Sequence, residues 1–530
     1  MTDRNVRAQQ GTASSVIHTD GMIRLPNAAL ANGLRIIGAA GSGKTQLGVW
    51  LLFSFFLQRR PFLVFDPTRS LINGFLSRLQ QYVSDHQLSD EEQTQLFDRI
   101  VYCDLSGQSG YVVPFSLFQR YGEEPLSAVA DRVMSWVSGN FASSHSAPIE
   151  GYNNILKNLY PACIIAAALQ PEIQLTDLPD LFRHPESGRW KQRFAQVLET
   201  YPDQTGEAVA YFQNEFSKLD RATKERRLNM LETVLLGCRY MSSMRATFGA
   251  TTPGLDYEQI IQQGKMVLVD GSGLAGEYLQ QMLNWILLYS FPPFLKARGS
   301  GRHQPIGLMI DEISTFYLDA PESMEVFANR FGEMVHVLRR QYGIHPLCVI
   351  HQTVAQLHEK IAAHLAALGN QVVGKPADYD SAVLLAEQLF PYQPFVKRWD
   401  PVYANIPDEG PRVIDVRPQE FTRHEILHQQ ALNLLRLKKL HFLTRLTQTE
   451  GGGQGPLRLL NITSTLGPWP DETSISCLCK QLAATSGVPI QQVLAEIQAR
   501  SPAVAAKPGP KKETAVDKDG YLLADDTDTA

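Results

Sequence analysis

The sequence predicts an α/β protein built on a parallel sheet that carries a phosphate loop and is interrupted by an all-helical insertion. Three observations carry that expectation. Between Leu34 and Asp104, short apolar runs that end in a loop signal alternate with helical stretches, and the same rhythm resumes from Met266 to Gly374. The stretch between them, from about Pro125 to Thr247, has helical periodicity and no convincing strand. Strands alternating with helical patterns mark a parallel sheet, so one sheet is interrupted and then resumed.

Taken in order, Met1 to Asp20 is polar and lacks an apolar signal core, so no export is implied and residues 1–33 stand apart as an N-terminal segment. Residues 34–124 form the first part of the sheet domain, with strands at Arg35–Ala39, Phe62–Asp66 and Ile100–Asp104. Residues 125–247 form the helical insertion, for example Asn153–Leu169 and Thr223–Leu236. Residues 248–470 resume the sheet with strands at Met266–Asp270, Ile306–Asp311, Leu347–Gln352 and Gln371–Gly374, followed by a mixed α/β extension. In that extension a β pair is expected around Arg412–Val416 and Leu457–Ile462, separated by a helix over Glu425–Leu446. The run Gly451–Gly455 reads as a flexible turn. Residues 471–500 form a small helical appendage, two short helices around Gly487, Val488 and Pro489. From Ser501 to the end, Ala, Pro, Lys, Asp and Thr dominate and disorder is expected.

At 530 residues the chain exceeds the roughly 250–300 at which a single core stops growing, so more than one domain is expected. With 44% hydrophobic and 19% charged residues it is neither disordered nor fibrous. The apolar runs Val49–Leu57 and Trp285–Leu295 fall short of the ~20 residues that cross a bilayer, so they read as buried helices and no transmembrane segment is expected. A net charge of -5 does not advertise nucleic-acid binding, although a positive pore lining can hide inside an acidic total. The six cysteines (Cys103, Cys163, Cys238, Cys348, Cys477 and Cys479) are scattered, and only the last two are close, in a C-x-C spacing with no partner pair, the pattern of reduced thiols in a cytoplasmic protein.

The chemistry centres on Gly38-Ala39-Ala40-Gly41-Ser42-Gly43-Lys44-Thr45, which satisfies G-x-x-x-x-G-K-[ST] between a strand and a helix. Glycines allow the tight path that turns successive N–H groups towards phosphate oxygens, and the helix N-terminus adds partial positive charge. Lys44 then pairs with the β and γ phosphates of ATP, and the Thr45 hydroxyl ligates Mg2+. The apolar strand ending in Asp311 and Glu312 supplies the acids such a site requires: Asp311 to anchor magnesium through water, Glu312 to orient or deprotonate the attacking water. Gln352 ends the next strand and is placed to sense the γ phosphate; His351 beside it suits a satisfied loop histidine better than a catalytic one. Asp66, before Pro67, is balanced between turn capping and a nucleotide role.

With these motifs in hand, the sequence resembles the FtsK/HerA superfamily of hexameric DNA-pumping ATPases and, within it, the type IV coupling proteins of conjugation. Ile37 to Thr45 is similar to their first motif, and Leu63-Val64-Phe65-Asp66-Pro67 to their second strand. Thr68-Arg69-Ser70 departs from the Lys-Gly-Glu that often follows there. Val337 to Ile344, then Cys348-Val349-Ile350-His351-Gln352, resembles the segment in which an Arg three residues before a Gly reaches into the neighbouring subunit. The matching residue is Arg340, with Arg339 its rival. The resemblance implies a RecA-like sheet, a homo-hexamer that hydrolyses ATP and translocates DNA, and partners of the membrane-channel or relaxase type. With no transmembrane helix expected, it implies a cytoplasmic protein, either a soluble relative or one recruited to the inner face of a membrane through a partner. The basic cluster Arg221, Lys224, Arg226 and Arg227 in the insertion suits a solvated helix face better than a phosphate contact. Two alternatives remain open: an ATPase that energises protein secretion or channel assembly, and an ATP-dependent scaffold or switch.

Overall fold

A computed structural model of the 530-residue chain describes residues 16–18, 30–144, 149–234, 236–274, 276–301, 304–317, 321–354, 357–390, 396–406, 410–447, 454–461 and 472–500. The tail expected from Ser501 lies outside the described residues, as does most of the glycine run that starts at Gly451. The described strands are β1 (Val16–His18), β2 (Leu34–Ile37), β3 (Phe62–Asp66), β4 (Ile100–Asp104), β5 (Tyr111–Val112), β6 (Met266–Asp270), β7 (Ile306–Asp311), β8 (Ile344–His351), β9 (Asn370–Val373), β10 (Val396–Ile406), β11 (Gly410–Glu420), β12 (His441–Thr447), β13 (Gln454–Asn461) and β14 (Val488–Pro489).

A ten-stranded sheet runs in the order β1-β13-β12-β9-β2-β8-β7-β3-β6-β4. From β9 across to β4 every neighbouring pair is parallel, whereas β12 joins β9 antiparallel. Strand β8 stands between β2 and β7, the RecA-like arrangement, and the strand order around β2 opens a crevice at the carboxyl ends. The strands read as unbroken apolar runs because both faces are covered. In β3, Phe62 and Val64 enter one core with the helices α1 (Lys44–Leu57) and α2 (Ser70–Asp85). Leu63 and Phe65 point the other way, into the second core.

Residues 126–249 form helices from Leu126–Ser144 to Ser242–Gly249, with no strand among the described residues. Their aromatic side chains, including Trp136, Phe182, Trp190 and Phe212, belong to the same contiguous apolar cluster as Leu63 and Phe65. Trp136 meets Trp285 edge to face at 5.4 Å. Truncating such a buried aromatic to alanine costs about 3–5 kcal/mol, so this segment and the sheet stabilise each other. Both apolar runs lie in helices and are largely buried, with Leu57 exposed at the end of the first, and among the described residues no helix is long and apolar enough to cross a membrane.

The extension departs from the sequence expectation twice. The helix expected over Glu425–Leu446 is shorter: after α3 (Tyr379–Leu389) comes α4 (Arg423–Leu435), and the chain then turns and enters β12 at His441. Leu434, Leu437, Leu440 and Leu443 continue a three-residue spacing through the turn, which hides the break from a periodicity reading. The second departure concerns pairing. β11, which contains Arg412–Val416, pairs with β10, and β13, which contains Leu457, pairs with β12. Lys397, Arg398, Asp400 and Pro401 interrupt the apolar pattern of β10, so it gave no strand signal. The appendage comprises α5 (Glu472–Ser486) and α6 (Ile490–Arg500). Ile475, Leu478 and Leu482 of α5 enter the core beside β4, and β14 pairs with β5.

Candidate active site

Strand β2 is buried along its length, and from Ile37 the chain turns through Gly38 to Gly43 into α1, whose first residues are Lys44 and Thr45. Gly41 and Gly43 hold φ of 76° and 102°, a region that L side chains rarely adopt. The Ala39 amide donates to the Lys375 carbonyl at 2.7 Å and the Ser42 amide to the Ala39 carbonyl at 3.2 Å, which fastens the loop to the residues after β9. Ala40 and Gly41 remain exposed at its tip. Lys44 is 7% exposed, and its Nζ folds back to donate to the Ala39 carbonyl at 3.2 Å. Burial lowers the Lys44 pKa, against the pull of the Glu312 and Asp311 carboxylates, which raise it.

Four parallel strands, β3, β4, β6 and β7, end in aspartate, and three of these are consumed by local structure. Asp66 accepts from the Thr68 amide and hydroxyl at 3.0 Å and from the Ile72 amide at 2.9 Å. Asp104 accepts from the amides of Ser106, Gly107 and Ser109. Asp270 accepts from Tyr102 Oη and the Ser272 amide and pairs with Arg69 at 3.1 Å. Asp311 accepts only from the Glu312 amide, at 3.1 Å, among the described residues. Burial first, then the Asp66 and Glu312 carboxylates, push its pKa well above the usual range. The balance between capping and a nucleotide role at Asp66 therefore falls to capping.

Glu312 follows in a left-handed conformation, φ 48° and ψ 60°, which costs a residue of this kind about 1–3 kcal/mol and is typical of functional turns. The Thr315 amide and hydroxyl hold that turn by donating to the Glu312 carbonyl at 2.9 and 2.8 Å. Gln352, just past β8, donates from Nε2 to Glu312 Oε1 at 2.8 Å. The intervening position of β8 brings this amide between the phosphate loop and the two acids.

The residues present fit a magnesium–nucleotide complex. The Lys44 charge acts on Asp311 against the two carboxylates of Asp66 and Glu312, and Ser42 Oγ is buried without a partner. Among the described residues no three His, Cys, Asp or Glu side chains gather to cage a metal. Magnesium keeps its waters and takes only one or two carboxylates besides phosphate oxygens, a role that the Asp311 carboxylate could fill.

The remaining candidates separate cleanly. His351 is buried, with Nε2 accepting from Arg35 Nε at 2.9 Å and Nδ1 paired with the Thr353 carbonyl at 3.2 Å. Burial and the Arg35 charge hold its pKa well below 6.5, so the ring is neutral and structural. Arg339 is buried and donates to the Val335 and Ala31 carbonyls at 3.0 and 2.5 Å. Arg340, the next residue, is exposed. In the insertion, Arg227 donates to Asn158 and Tyr211, Lys224 to the Ser217 carbonyl, and Arg221 pairs with Glu225, so the basic cluster is largely spent within the helices. Leu440 is a contact that sequence reading missed: it lies against Gly43, in the stretch read as helix.

Fold and site together define the class: a RecA-like phosphate-loop protein with an acid-tipped strand and one strand between the two. No protein-family model and no curated protein matches the sequence. Solved structures do match. The bacterial conjugative coupling protein TrwBdeltaN70 in its unbound form is 13% identical over 86% of this chain and 91% of that one, with a TM-score of 0.47. The plasmid coupling protein TrwB in complex with ADP and Mg2+ is 13% identical over 86% and 91%, at 0.45. VirB4 of Thermoanaerobacter pseudethanolicus is 12% identical over 83% and 90%, at 0.46. At such scores the likeness carries no argument about function, which rests on the residues of the site.

Proposed function

We propose that the chain is an ATP-hydrolysing motor that works as a homo-hexameric ring and translocates DNA. The observation that carries the hydrolytic part is the meeting of Glu312 and Gln352 at 2.8 Å beside Asp311, at the same sheet edge as Lys44. Magnesium, when bound with ATP, would draw off the charge that develops on the β and γ phosphates. Thr45 and Asp311 would hold it. Lys44 leaves the Ala39 carbonyl and pairs with the phosphates. Glu312 takes the proton of the attacking water, and Gln352 keeps the Glu312 carboxylate turned towards it. Arg340 supports the ring: it is free of the main-chain bonds that consume Arg339, so it can act on a neighbour's nucleotide.

DNA as the substrate, and channel or relaxase-type partners, rest on the sequence resemblance. ATP turnover of the full chain with and without single- and double-stranded DNA tests the reading. Stimulation that weakens as salt rises supports it. Turnover indifferent to both DNAs favours the second reading, an ATPase that energises protein secretion, to which the net charge of -5 is suited.

A further inference from the structure

Leu440 closes over the phosphate loop from outside it. Its amide donates to the Ser42 carbonyl at 2.9 Å. Its side chain lies so close to Gly43 that a Cβ there would stand 2.5 Å from Leu440 Cδ2. Leu440 also holds φ at 66°, a left-handed conformation that a leucine keeps only where its surroundings enforce it. The surroundings here are the loop and the apolar core that includes α1, against which Leu440 is packed.

The residues before it carry charge. Arg436, Lys438 and Lys439 are exposed on the turn between α4 and β12, beside a loop whose backbone is shaped for a polyanion. The turn is fixed by the Leu437 amide donating to the Leu434 carbonyl and the His441 amide to the Lys438 carbonyl, both at 3.1 Å.

The same turn ends a braced arm. Thr422 caps α4 in a reciprocal box with Glu425, and Glu425 also accepts from Lys397 Nζ at 2.6 Å, which ties the base of the β10–β11 hairpin to the helix. Ala431 and Leu434 of α4 pack in one cluster with Leu385 and Leu389 of α3. The hairpin presents Trp399 at 60% exposure. A shift of Ser42 and Gly43 would therefore pass through Leu440 into α4 and on to the hairpin.

We propose that Leu440 is a positioning residue for the phosphate loop, and that the turn Arg436–Leu440 is the outer wall of the nucleotide site, through which a bound nucleoside triphosphate is communicated to α4 and the β10–β11 hairpin. This rests on the assignment of residues 38–45 as a nucleotide site. Hydrogen exchange of the full chain with and without a non-hydrolysable ATP analogue, in the parent, Leu440→Ala and Leu440→Met, separates the two. In the parent, nucleotide should slow exchange at 38–45 and also at 436–441 and 423–435. Leu440→Ala should keep the first effect and lose the second. Its KM for ATP should rise about tenfold while kcat changes much less, because a displaced loop loses ground-state contacts. Leu440→Met should restore both, since its flexible side chain refills the same contact. Protection at 38–45 but not at 436–441 in the parent would overturn the proposal and leave the nucleotide site standing. So would a Leu440→Ala variant with unchanged KM and protection. An absence of protection at 38–45 in the parent would remove the nucleotide site, and this proposal with it.

Discussion

Gln352 Nε2 donates to Glu312 Oε1 across 2.8 Å and so joins the ends of two neighbouring strands in front of the phosphate loop. Glu312 already occupies a strained backbone, and a second restraint on its carboxylate would keep it aimed if it acts as the proposed base. Gln352→Ala should leave nucleotide affinity unchanged and lower turnover by about 10- to 100-fold, the scale expected when a reacting group is misplaced by an ångström. Equilibrium titration with a fluorescent ATP analogue, alongside steady-state turnover, checks it. A variant that loses affinity and turnover together would place Gln352 on the nucleotide rather than on Glu312.

The adjacent arginines should part company. Arg339→Ala removes a buried guanidinium and frees the Val335 and Ala31 carbonyls, so the fold should lose about 2–4 kcal/mol, measured by denaturant unfolding. Arg340→Ala should leave stability within about 0.5 kcal/mol, as for an exposed side chain. Its turnover in the assembled ring should fall by about 10³ or more, as for a finger that acts in trans. Mixing Arg340→Ala with Glu312→Gln subunits should recover part of the activity at junctions that combine the intact arginine of one with the intact glutamate of the other. No recovery despite subunit exchange would rule out Arg340 as the finger.

His351 sets a pH dependence of stability. Its folded-state pKa lies well below 6.5 because of burial and the Arg35 charge. Above 6.5 the ring is neutral folded or unfolded and contributes no slope. Below it the unfolded chain takes up a proton that the folded chain refuses, so stability falls as the pH drops, by up to about 1.4 kcal/mol per pH unit. His351→Gln keeps an acceptor for Arg35 but cannot titrate. The drop in unfolding free energy from pH 7.5 to 5.5 should be smaller in the variant than in the parent; equal drops would assign the pH dependence elsewhere.

Sequence reading reached β3, β4, β6 and β7 residue for residue, because strands covered on both faces are continuous apolar runs and these are closed by an aspartate; β8, with no such stop and with Pro346 near its start, begins three residues before the expected Leu347. The phosphate loop was legible for a similar reason: its glycines and lysine are fixed in number and order by the phosphate they would surround. What stayed hidden depends on contacts between distant segments. That Asp66, Asp104 and Asp270 are consumed while Asp311 is left open shows only in their hydrogen bonds, since the four strand ends look alike in sequence. Arg339 and Arg340 differ only in which face of the helix end each occupies. Leu440 was masked by a leucine spacing that runs straight through a turn.

Under the proposed function Lys44 and Glu312 act at different stages of one reaction, and a paired measurement of nucleotide binding and turnover on the two variants tests that most directly. Lys44→Ala should lose both binding and turnover, because no other side chain in the loop carries charge to the phosphates. Glu312→Gln should bind ATP as tightly as the parent and lose turnover by about 10² or more, because the amide keeps the shape without the base. A folded Lys44→Ala variant that turns over ATP at the parental rate, or a Glu312→Gln variant that does so, would contradict the account.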